Sequence, residues 1–364
     1  MRHFVLVLGA LCLLVGFASW NRSSPAPVAT AEDMVAPFVL DNFYRGVCWV
    51  GGRRNIQNAS FDTARETGID WISQSPFGWM DNQYSPEVRL NRKARLFNES
   101  DNGVRATTQA AHASGMKVML KPHIWLSRPL NNGWIGEIDF ETEEEWSKWE
   151  DSYRNFIMHY ARVAEEERVD MFCIATELST PVRTRPAFWK GLVAEIRGVY
   201  SGELTYAANW WRDYDETDLW EDLDYIGVNA YFPLTDKANP SVEELVAGWQ
   251  PHLEQIEQVA LRFNKPVLFT EIGYKNIKGT SIKPWEWPRQ VDSPALDASE
   301  QVNAYEALFL TFGQKPWFRG TFIWKWFSRT DRMSSDRVAF TPQNRAAEET
   351  LKKWYTYQGA PKPR

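Results

Sequence analysis

The sequence predicts an α/β protein made of a single (β/α)8 TIM barrel over residues 38–358. Eight short apolar runs recur along the chain, and their content of Val, Ile, Leu, Phe and Tyr is typical of buried parallel strands. Amphipathic stretches with the period of a helix separate the runs, an alternation that favours a barrel of parallel strands. The runs are Tyr44–Trp49, Ile69–Ser73, Lys117–Lys121, Asp170–Ile174, Leu204–Ala208, Tyr225–Asn229, Val267–Thr270 and Gly320–Trp324.

Capping signals support the helices between these runs. Capping boxes begin at Thr142 and Ser241, where a Glu follows three residues later, and Gly115 is a natural end for a helix. Residues 214–223 are short and acidic, so we expect an abbreviated helix there. The predicted helices are Phe61–Thr67, Asn102–Ser114, Glu143–Arg168, Ala187–Tyr200, Val242–Phe263, Ser299–Gly313 and Ala346–Tyr355.

A doubly wound sheet is the alternative fold for this alternation. Such a sheet usually carries a glycine-rich phosphate turn after its first strand. Gly51 and Gly52 follow the first run, but the chain has no G-x-G-x-x-G pattern. The sequence also shows no internal repeat and no linker after about residue 38, which favours one barrel domain.

Composition points to a carbohydrate partner. The 364 residues carry a net charge of −6, which argues against nucleic acid because phosphate binding needs a basic face. The chain contains 19 Trp, more than packing normally requires. Indole rings stack on the flat C–H faces of sugars, although about half of these rings are expected in the core. A polysaccharide or oligosaccharide is therefore the expected substrate.

The first 31 residues are predicted to be a signal peptide or an N-terminal anchor with a short polar stretch. Arg2 and His3 precede an apolar run over residues 4–17, and Ala29–Ala31 forms a possible cleavage site. The run has the length of a signal segment and is short for a membrane span. We expect a secreted or periplasmic protein, or a membrane-anchored one through residues 4–17 if the leader stays.

Cysteine and histidine give no sign of a disulfide or a metal site. Cys48 and Cys173 remain after the leader, and both are expected to be small buried side chains without a disulfide between them. The five His residues are scattered and do not have zinc spacing. No metal and no cofactor is implied.

Two acids are predicted at the carboxyl ends of strands, where the active sites of these barrels lie. Glu177 follows the fourth apolar run and Glu271 follows the seventh. Hydrolysis of a glycosidic bond uses such a pair: one carboxyl protonates the leaving oxygen and the other attacks or stabilises the anomeric carbon. A separation of about 5–5.5 Å gives retention, and one of ~6.5–9.5 Å allows inversion.

The residues around these acids resemble the clan A glycoside hydrolases, and most closely glycoside hydrolase family 113. The similar segments, in order over about residues 40–330, are Gly46–Trp49, Lys121–Trp125, Ile174–Leu178, Asp224–Tyr231, Phe269–Tyr274 and Phe322–Trp324. The resemblance implies a retaining β-1,4-mannanase with Glu177 as general acid/base and Glu271 as nucleophile. Thr176 replaces the Asn that usually precedes the acid/base in the clan and holds the sugar 2-hydroxyl there. Which group binds the 2-hydroxyl in this chain is left open, and Asn209 is a candidate.

Further residues near the strand ends are candidates for substrate binding. Tyr231 can hydrogen-bond to Glu271, His123 can donate to a sugar hydroxyl, and Lys121 can pair with a catalytic carboxylate or bind sugar oxygens. Trp324 is expected below the reacting sugar, with Trp49 facing it. Trp125, Trp210 and Trp285 are candidates for the walls of the cleft.

Two other interpretations remain open at this point. The chain can be another clan A β-glycanase, such as a glucanase or a xylanase, or a carbohydrate-binding barrel without catalysis. The presence of both glutamates speaks against the second, because a binding protein has no need of the pair.

Overall fold

The computed structural model describes residues 43–52, 61–90, 96–211, 213–288, 295–328 and 337–357. The predicted leader, residues 1–31, lies outside these ranges. Eight parallel strands close into a barrel and helices surround it, so the predicted (β/α)8 fold is confirmed. In the ranges described, no helix is both long and apolar enough to cross a bilayer.

All eight predicted apolar runs form barrel strands. The barrel strands are β1 (Tyr44–Val50), β2 (Trp71–Gln74), β5 (Lys117–Leu120), β7 (Met171–Thr176), β8 (Glu203–Asn209), β9 (Tyr225–Asn229), β10 (Val267–Ile272) and β11 (Phe318–Phe327). Neighbours pair in parallel in the order β1-β11-β10-β9-β8-β7-β5-β2, and β2 pairs back to β1 to close the ring.

The helices begin and end close to the predicted residues. The capping boxes at Thr142 and Ser241 are both formed, and Asp297 caps the seventh helix through its side chain. The acidic stretch 214–223 holds only a short 3-10 helix, Leu219–Asp222. The α-helices are α1 (Asp62–Glu66), α2 (Asp101–Ala113), α3 (Glu143–Glu166), α4 (Ser179–Thr184), α5 (Pro186–Arg197), α6 (Val242–Phe263), α7 (Ala298–Phe312) and α8 (Ala346–Tyr355).

A small second sheet lies beyond the carboxyl ends of β2 and β5, and the apolar pattern did not predict it. Pro76 and Pro122 interrupt the two barrel strands, since proline cannot donate to a ladder. The chain then resumes an extended course, and the two continuations pair in parallel. The sheet contains β3 (Phe77–Met80), β4 (Arg89–Leu90) and β6 (His123–Leu126).

The core has two layers because successive side chains of a strand point to opposite faces. The outer layer packs the barrel against its helices. The inner layer fills the barrel below its carboxyl end, so the interior forms a floor for the site. Cys48 and Cys173 are both buried and free. The inner cluster comprises Cys48, Trp71, Met119, Met171, Tyr225, Leu268 and Phe322, with Tyr44 and Trp324 against it.

Candidate active site

The two predicted glutamates lie at the same end of the barrel. Glu177 directly follows β7, and Glu271 is the penultimate residue of β10. Two strands, β8 and β9, separate β7 from β10 in the ring. Glu177 has a backbone φ of 52°, which lies in the left-handed region that residues other than glycine rarely adopt. Its backbone N–H donates to the carbonyl of Ala207 at 2.8 Å, which holds this turn at the strand end.

The Glu177 carboxyl is hydrogen-bonded by two amides from the intervening strands. Nδ2 of Asn209 donates to Oε1 of Glu177 at 2.9 Å, and Asn229 also hydrogen-bonds to the carboxyl. Burial, followed by the negative charge of Glu271, raises the pKa of Glu177 to about 7, against the opposing effect of the two amides. At neutral pH this carboxyl is therefore poised to give or take a proton.

Glu271 has a different environment, with a cation and a phenol as its partners. Nζ of Lys121 donates to Oε2 at 2.7 Å, and the hydroxyl of Tyr231 donates to Oε1 at 2.6 Å. Lys121 is 0% exposed. Burial works to lower the pKa of Lys121, but the charge of Glu271 overcomes this and the pKa is raised. Burial and the same negative charge raise the pKa of Tyr231, so both groups stay protonated as donors.

The site thus contains two carboxyl groups with different surroundings. Glu177 has a pKa near neutrality and accepts hydrogen bonds from amides, whereas Glu271 is held by a buried ion pair with Lys121 and by the phenol of Tyr231. When two carboxyls in one site have different environments, one can act as an acid while the other acts as a base or nucleophile. Asn229 was not among the candidates from sequence, although it ends the ninth strand as a buried polar residue.

The raised pKa of Glu177 predicts a pH-dependent stability. The folded state binds this proton more tightly than the unfolded chain, where the ordinary value of 4.5 applies. The free energy of unfolding should therefore fall as pH rises from about 4.5 to about 7, and the penalty persists above pH 7. Because Gln carries no charge at any pH, we expect Glu177→Gln to remove this loss of stability. The variant should be more stable than the wild type by up to about 3 kcal/mol at pH 8.

Urea unfolding of both proteins at pH 4 and pH 8 checks this. The gain should be present at pH 8 and nearly absent at pH 4. Glu254→Gln, on an exposed position of α6, is the matched control and should show no such difference. An equal gain from Glu177→Gln at both pH values would contradict the expectation.

His123 lies near Lys121 at this end of the barrel, and its ring does not have the free N–H that a donor to a sugar hydroxyl would need. Its Nδ1 is 2.7 Å from the carbonyl oxygen of Ile124, so Nδ1 must be the protonated donor. Burial, and then the charge of Lys121, lowers the pKa of His123 to about 4. The neutral ring has no second N–H, so Nε2 can accept from a sugar hydroxyl but cannot donate to it.

The side chain of Thr176 does not point its hydroxyl to Glu177, although Thr176 occupies the position where the clan usually has Asn. Its hydroxyl donates to the carbonyl of Pro122 at 3.2 Å, and the side chain is buried. It therefore links β7 to the turn that follows β5. The amides next to Glu177 come instead from Asn209 and Asn229, at the ends of the two following strands.

Tryptophans form two aromatic groups at the rim. Trp210 packs on Trp285 with ring centroids 4.9 Å apart, which joins the loop after β8 to the loop after β10. Trp285 is 45% exposed. On the second sheet, Trp125 is 52% exposed and packs edge-on against Phe77. Both groups leave ring surface open to a ligand.

Trp324 and Trp49 occupy different layers. Trp324 packs against the inner cluster of the barrel. The carbonyl of Trp324 lies so close to Gly273 that a Cβ there would come within 2.5 Å of it. Trp49 was expected to face Trp324, and this is wrong. It alternates with the inward Cys48, stacks on Phe61 at 4.6 Å and belongs to the outer layer.

A surface cavity of about 620 Å³ lies away from this site, between the chain after β3 and the helix α3, and none of the site residues line it. Its lining contains no buried carboxyl pair, so we assign the chemistry to the barrel end. Within the ranges that the structure describes, no group of three or more His, Cys, Asp or Glu side chains is placed to hold a metal ion.

Comparisons with known proteins agree with this architecture. The model of Glycoside Hydrolase Family 113 matches residues 52–345. A β-mannanase of that family from Alicyclobacillus acidocaldarius is similar in structure, with 27% identity and a TM-score of 0.75 over 88% of this chain and 99% of that one. A β-1,4-mannanase of the same family has 24% identity and a TM-score of 0.73, over 86% and 99%.

A more distant likeness concerns the fold alone. A β-glucuronidase from Ruminococcus gnavus has 13% identity and a TM-score of 0.58, over 86% of this chain and 50% of that one. The comparison with curated proteins gave no match. The family model covers most of the chain, including both glutamates and their partners. The chain therefore belongs to glycoside hydrolase family 113 and is a glycosidase.

Proposed function

We propose that the protein hydrolyses β-1,4-linked mannan or glucomannan with retention of configuration. The observation that carries the mechanism is the contrast between the two carboxyls: Glu177 has its pKa raised to about 7, whereas Glu271 accepts hydrogen bonds from Lys121 and Tyr231. The substrate class is supported by the likeness to the β-mannanase from Alicyclobacillus acidocaldarius.

In the first step, Glu177 donates its proton to the glycosidic oxygen while Glu271 attacks the anomeric carbon. The bond to the leaving sugar breaks, and a covalent glycosyl ester forms on Glu271. Tyr231 and Lys121 hold the attacking carboxylate in one orientation, which lowers the entropy cost of the attack.

In the second step, a water molecule attacks the anomeric carbon. Glu177, now ionised, removes a proton from this water, and the ester bond to Glu271 breaks. The product has the original configuration and Glu177 is again protonated. A pKa near the working pH suits a group that acts first as acid and then as base.

The aromatic groups at the rim suit a polymeric substrate. Trp210 and Trp285 lie on the side of β8 and β10, and Trp125 lies on the second sheet beyond β5. Indole faces on both sides of the site offer stacking surfaces to sugars on either side of the cleaved bond. This favours cleavage within a chain.

A reducing-sugar assay on mannan, glucomannan, xylan and cellulose tests the substrate. We expect release from mannan and glucomannan, at least about tenfold faster than from xylan or cellulose, since one well-placed polar contact with the sugar is worth that factor or more. Release from xylan or cellulose alone would reject the mannanase assignment and favour another clan A β-glycanase. Proton NMR of the products, recorded before mutarotation, reports the anomer that is released first, and an inverted anomer from any of the four substrates would reject the mechanism.

A further inference from the structure

A third carboxylate lies behind Glu177 and does not take part in the chemistry proposed above. Asp213 is 3% exposed, and one oxygen, Oδ2, accepts three hydrogen bonds. The donors are the hydroxyl of Ser179 at 3.0 Å, the phenol of Tyr206 at 2.6 Å and the backbone N–H of Asn209 at 2.8 Å. They come from α4, from β8 and from the end of β8, so Asp213 joins the segments that follow two neighbouring strands.

Asn209 is the residue that this arrangement fixes. Its N–H donates to Asp213, its Oδ1 accepts from the N–H of Trp211 at 2.8 Å, and its Nδ2 donates to Oε1 of Glu177 at 2.9 Å. Backbone and side chain are both held, so the amide has one orientation. The chain of contacts thus runs from Asp213 through Asn209 to the carboxyl that gives and takes the proton.

We propose that Asp213 is a positioning residue, which holds the amide of Asn209 against Glu177 and thereby sets the orientation and proton affinity of that carboxyl. The proposal rests on the function proposed above, because it concerns the same acid/base group. It predicts a specific consequence for the pH profile, which a residue that serves stability alone would not have.

Tyr206 and Arg183 are the titratable groups whose effect on Asp213 bears on its charge. Tyr206 is a neutral donor, because burial and the charge of Asp213 raise its pKa. Arg183 of α4 acts on Asp213 as a positive charge. Burial raises the pKa of Asp213 to about 6, against the three hydrogen bonds that lower it. At the pH where the alkaline limb of the profile is measured, Asp213 is thus ionised.

The test compares Asp213→Ala, Asn209→Ala and the double variant. The alkaline limb of kcat/KM reports loss of the proton from the general acid. Without the amide, the Glu177 carboxylate loses a donor, so the limb should move to higher pH, by up to about one unit in each variant. We expect kcat/KM at the optimum to fall on the order of 10- to 100-fold, and the double variant to resemble Asn209→Ala.

Asp224→Ala is the matched control. Asp224 supports the other end of β8, where its Oδ2 accepts from the N–H of Leu204 at 2.7 Å and from Arg197. It is expected to lower stability and to leave the limb unmoved. If Asp213→Ala does not fold, Asp213→Glu keeps the charge, displaces the carboxylate by one methylene and should move the limb upward in the same way.

The outcomes separate the alternatives. A limb that moves to lower pH in Asp213→Ala would show a through-space charge effect and overturn the proposal, as would an unchanged limb in a folded variant. An additive double variant would also overturn it. Glu177→Gln serves as the reference. If Glu177→Gln keeps the wild-type alkaline limb, the assignment of Glu177 as the acid/base is wrong. If Glu177→Gln loses the limb but Asp213→Ala leaves it unmoved, only the inference about Asp213 is rejected.

Discussion

Glu271→Gln is expected to lower kcat on mannan on the order of 10⁴-fold or more, because the amide cannot form the glycosyl ester. The variant keeps the shape of the side chain. Its oxygen can still accept from Lys121 or Tyr231, so the folded structure and the binding of substrate should persist. Initial rates on mannan, together with binding of a manno-oligosaccharide by calorimetry, measure both parts.

Lys121 decides which substitution of Glu271 is informative. The lysine is fully buried, and removing its carboxylate leaves an uncompensated charge in the interior, at a cost of about 3–5 kcal/mol. Glu271→Gln and Glu271→Ala both remove this charge, but the Gln oxygen can still accept from Lys121. Glu271→Ala therefore carries the greater risk of a loss of folding that is unrelated to catalysis. The double variant Lys121→Met, Glu271→Gln removes both charges and is the second test: it should be folded and equally inactive.

Glu254→Gln is the control for these measurements, since it makes the same chemical change on an exposed face of α6. It should match the wild-type rate. If folded Glu271→Gln binds the oligosaccharide and still turns over mannan within about tenfold of the wild-type rate, Glu271 is not the nucleophile.

Glu177→Ala is the second large effect, and it should depend on the leaving group. On mannan, where the departing sugar needs a proton, we expect a loss of about 10²–10⁴-fold, the usual contribution of a positioned acid or base. On an aryl β-mannoside with an acidic phenol, formation of the ester should be almost unaffected. Its hydrolysis should be slow, because no base remains to activate water.

Azide is the diagnostic addition for this variant. The small anion fits the space left by the carboxyl, needs no base and should attack the ester, which raises turnover and gives a β-mannosyl azide. Rates on both substrates with and without azide, and identification of the azide product, check this. An α-configured azide, or losses that are equal on the two substrates with no response to azide, would contradict the acid/base role.

The barrel was predictable from the sequence because its signals are local. Each strand is an apolar run and each main helix has its own caps, so the run Tyr225–Asn229 and the helix Val242–Phe263 have the predicted bounds. The carboxyl ends of parallel strands meet at one end of a barrel, so the sequence alone predicts that Glu177 and Glu271 lie at the same end. The contacts of Lys121 and Tyr231 with Glu271 follow from the same rule.

The remaining features depend on relations that the pattern does not contain. The second sheet forms because the segments after Pro76 and Pro122 pair with each other, and no local signal marks that pairing. His123 was expected to donate, but its tautomer is set by the neighbouring carbonyl of Ile124. Trp49 was predicted on the wrong face of its strand. The apolar run indicates that Trp49 lies near the end of β1, but it does not indicate whether the side chain points into the barrel or towards the helices.

Asp213 shows the same limit within the site. Its sequence neighbourhood is acidic and lies in a loop, where an Asp is usually a solvated surface residue. Asp213 is buried because the fold brings its carboxylate into contact with Ser179 and Tyr206, which precede it in the chain. The sequence alone does not show these contacts. Asn229, by contrast, ends a strand as a polar residue, and the rule that identified Asn209 applies to it equally.

The central claim is that Glu271 becomes covalently bonded to the sugar. It is tested most directly by reacting the protein with a fluorinated β-mannosyl donor that carries a good leaving group, and by mapping the adduct with peptide mass spectrometry. The fluorine destabilises the positively charged transition states of both steps, whereas the good leaving group speeds formation of the ester alone, so the intermediate accumulates. We predict one added fluoromannosyl group, on Glu271, and none in Glu271→Gln. An adduct on another residue, or no adduct while the donor is hydrolysed to the inverted sugar, would contradict the account.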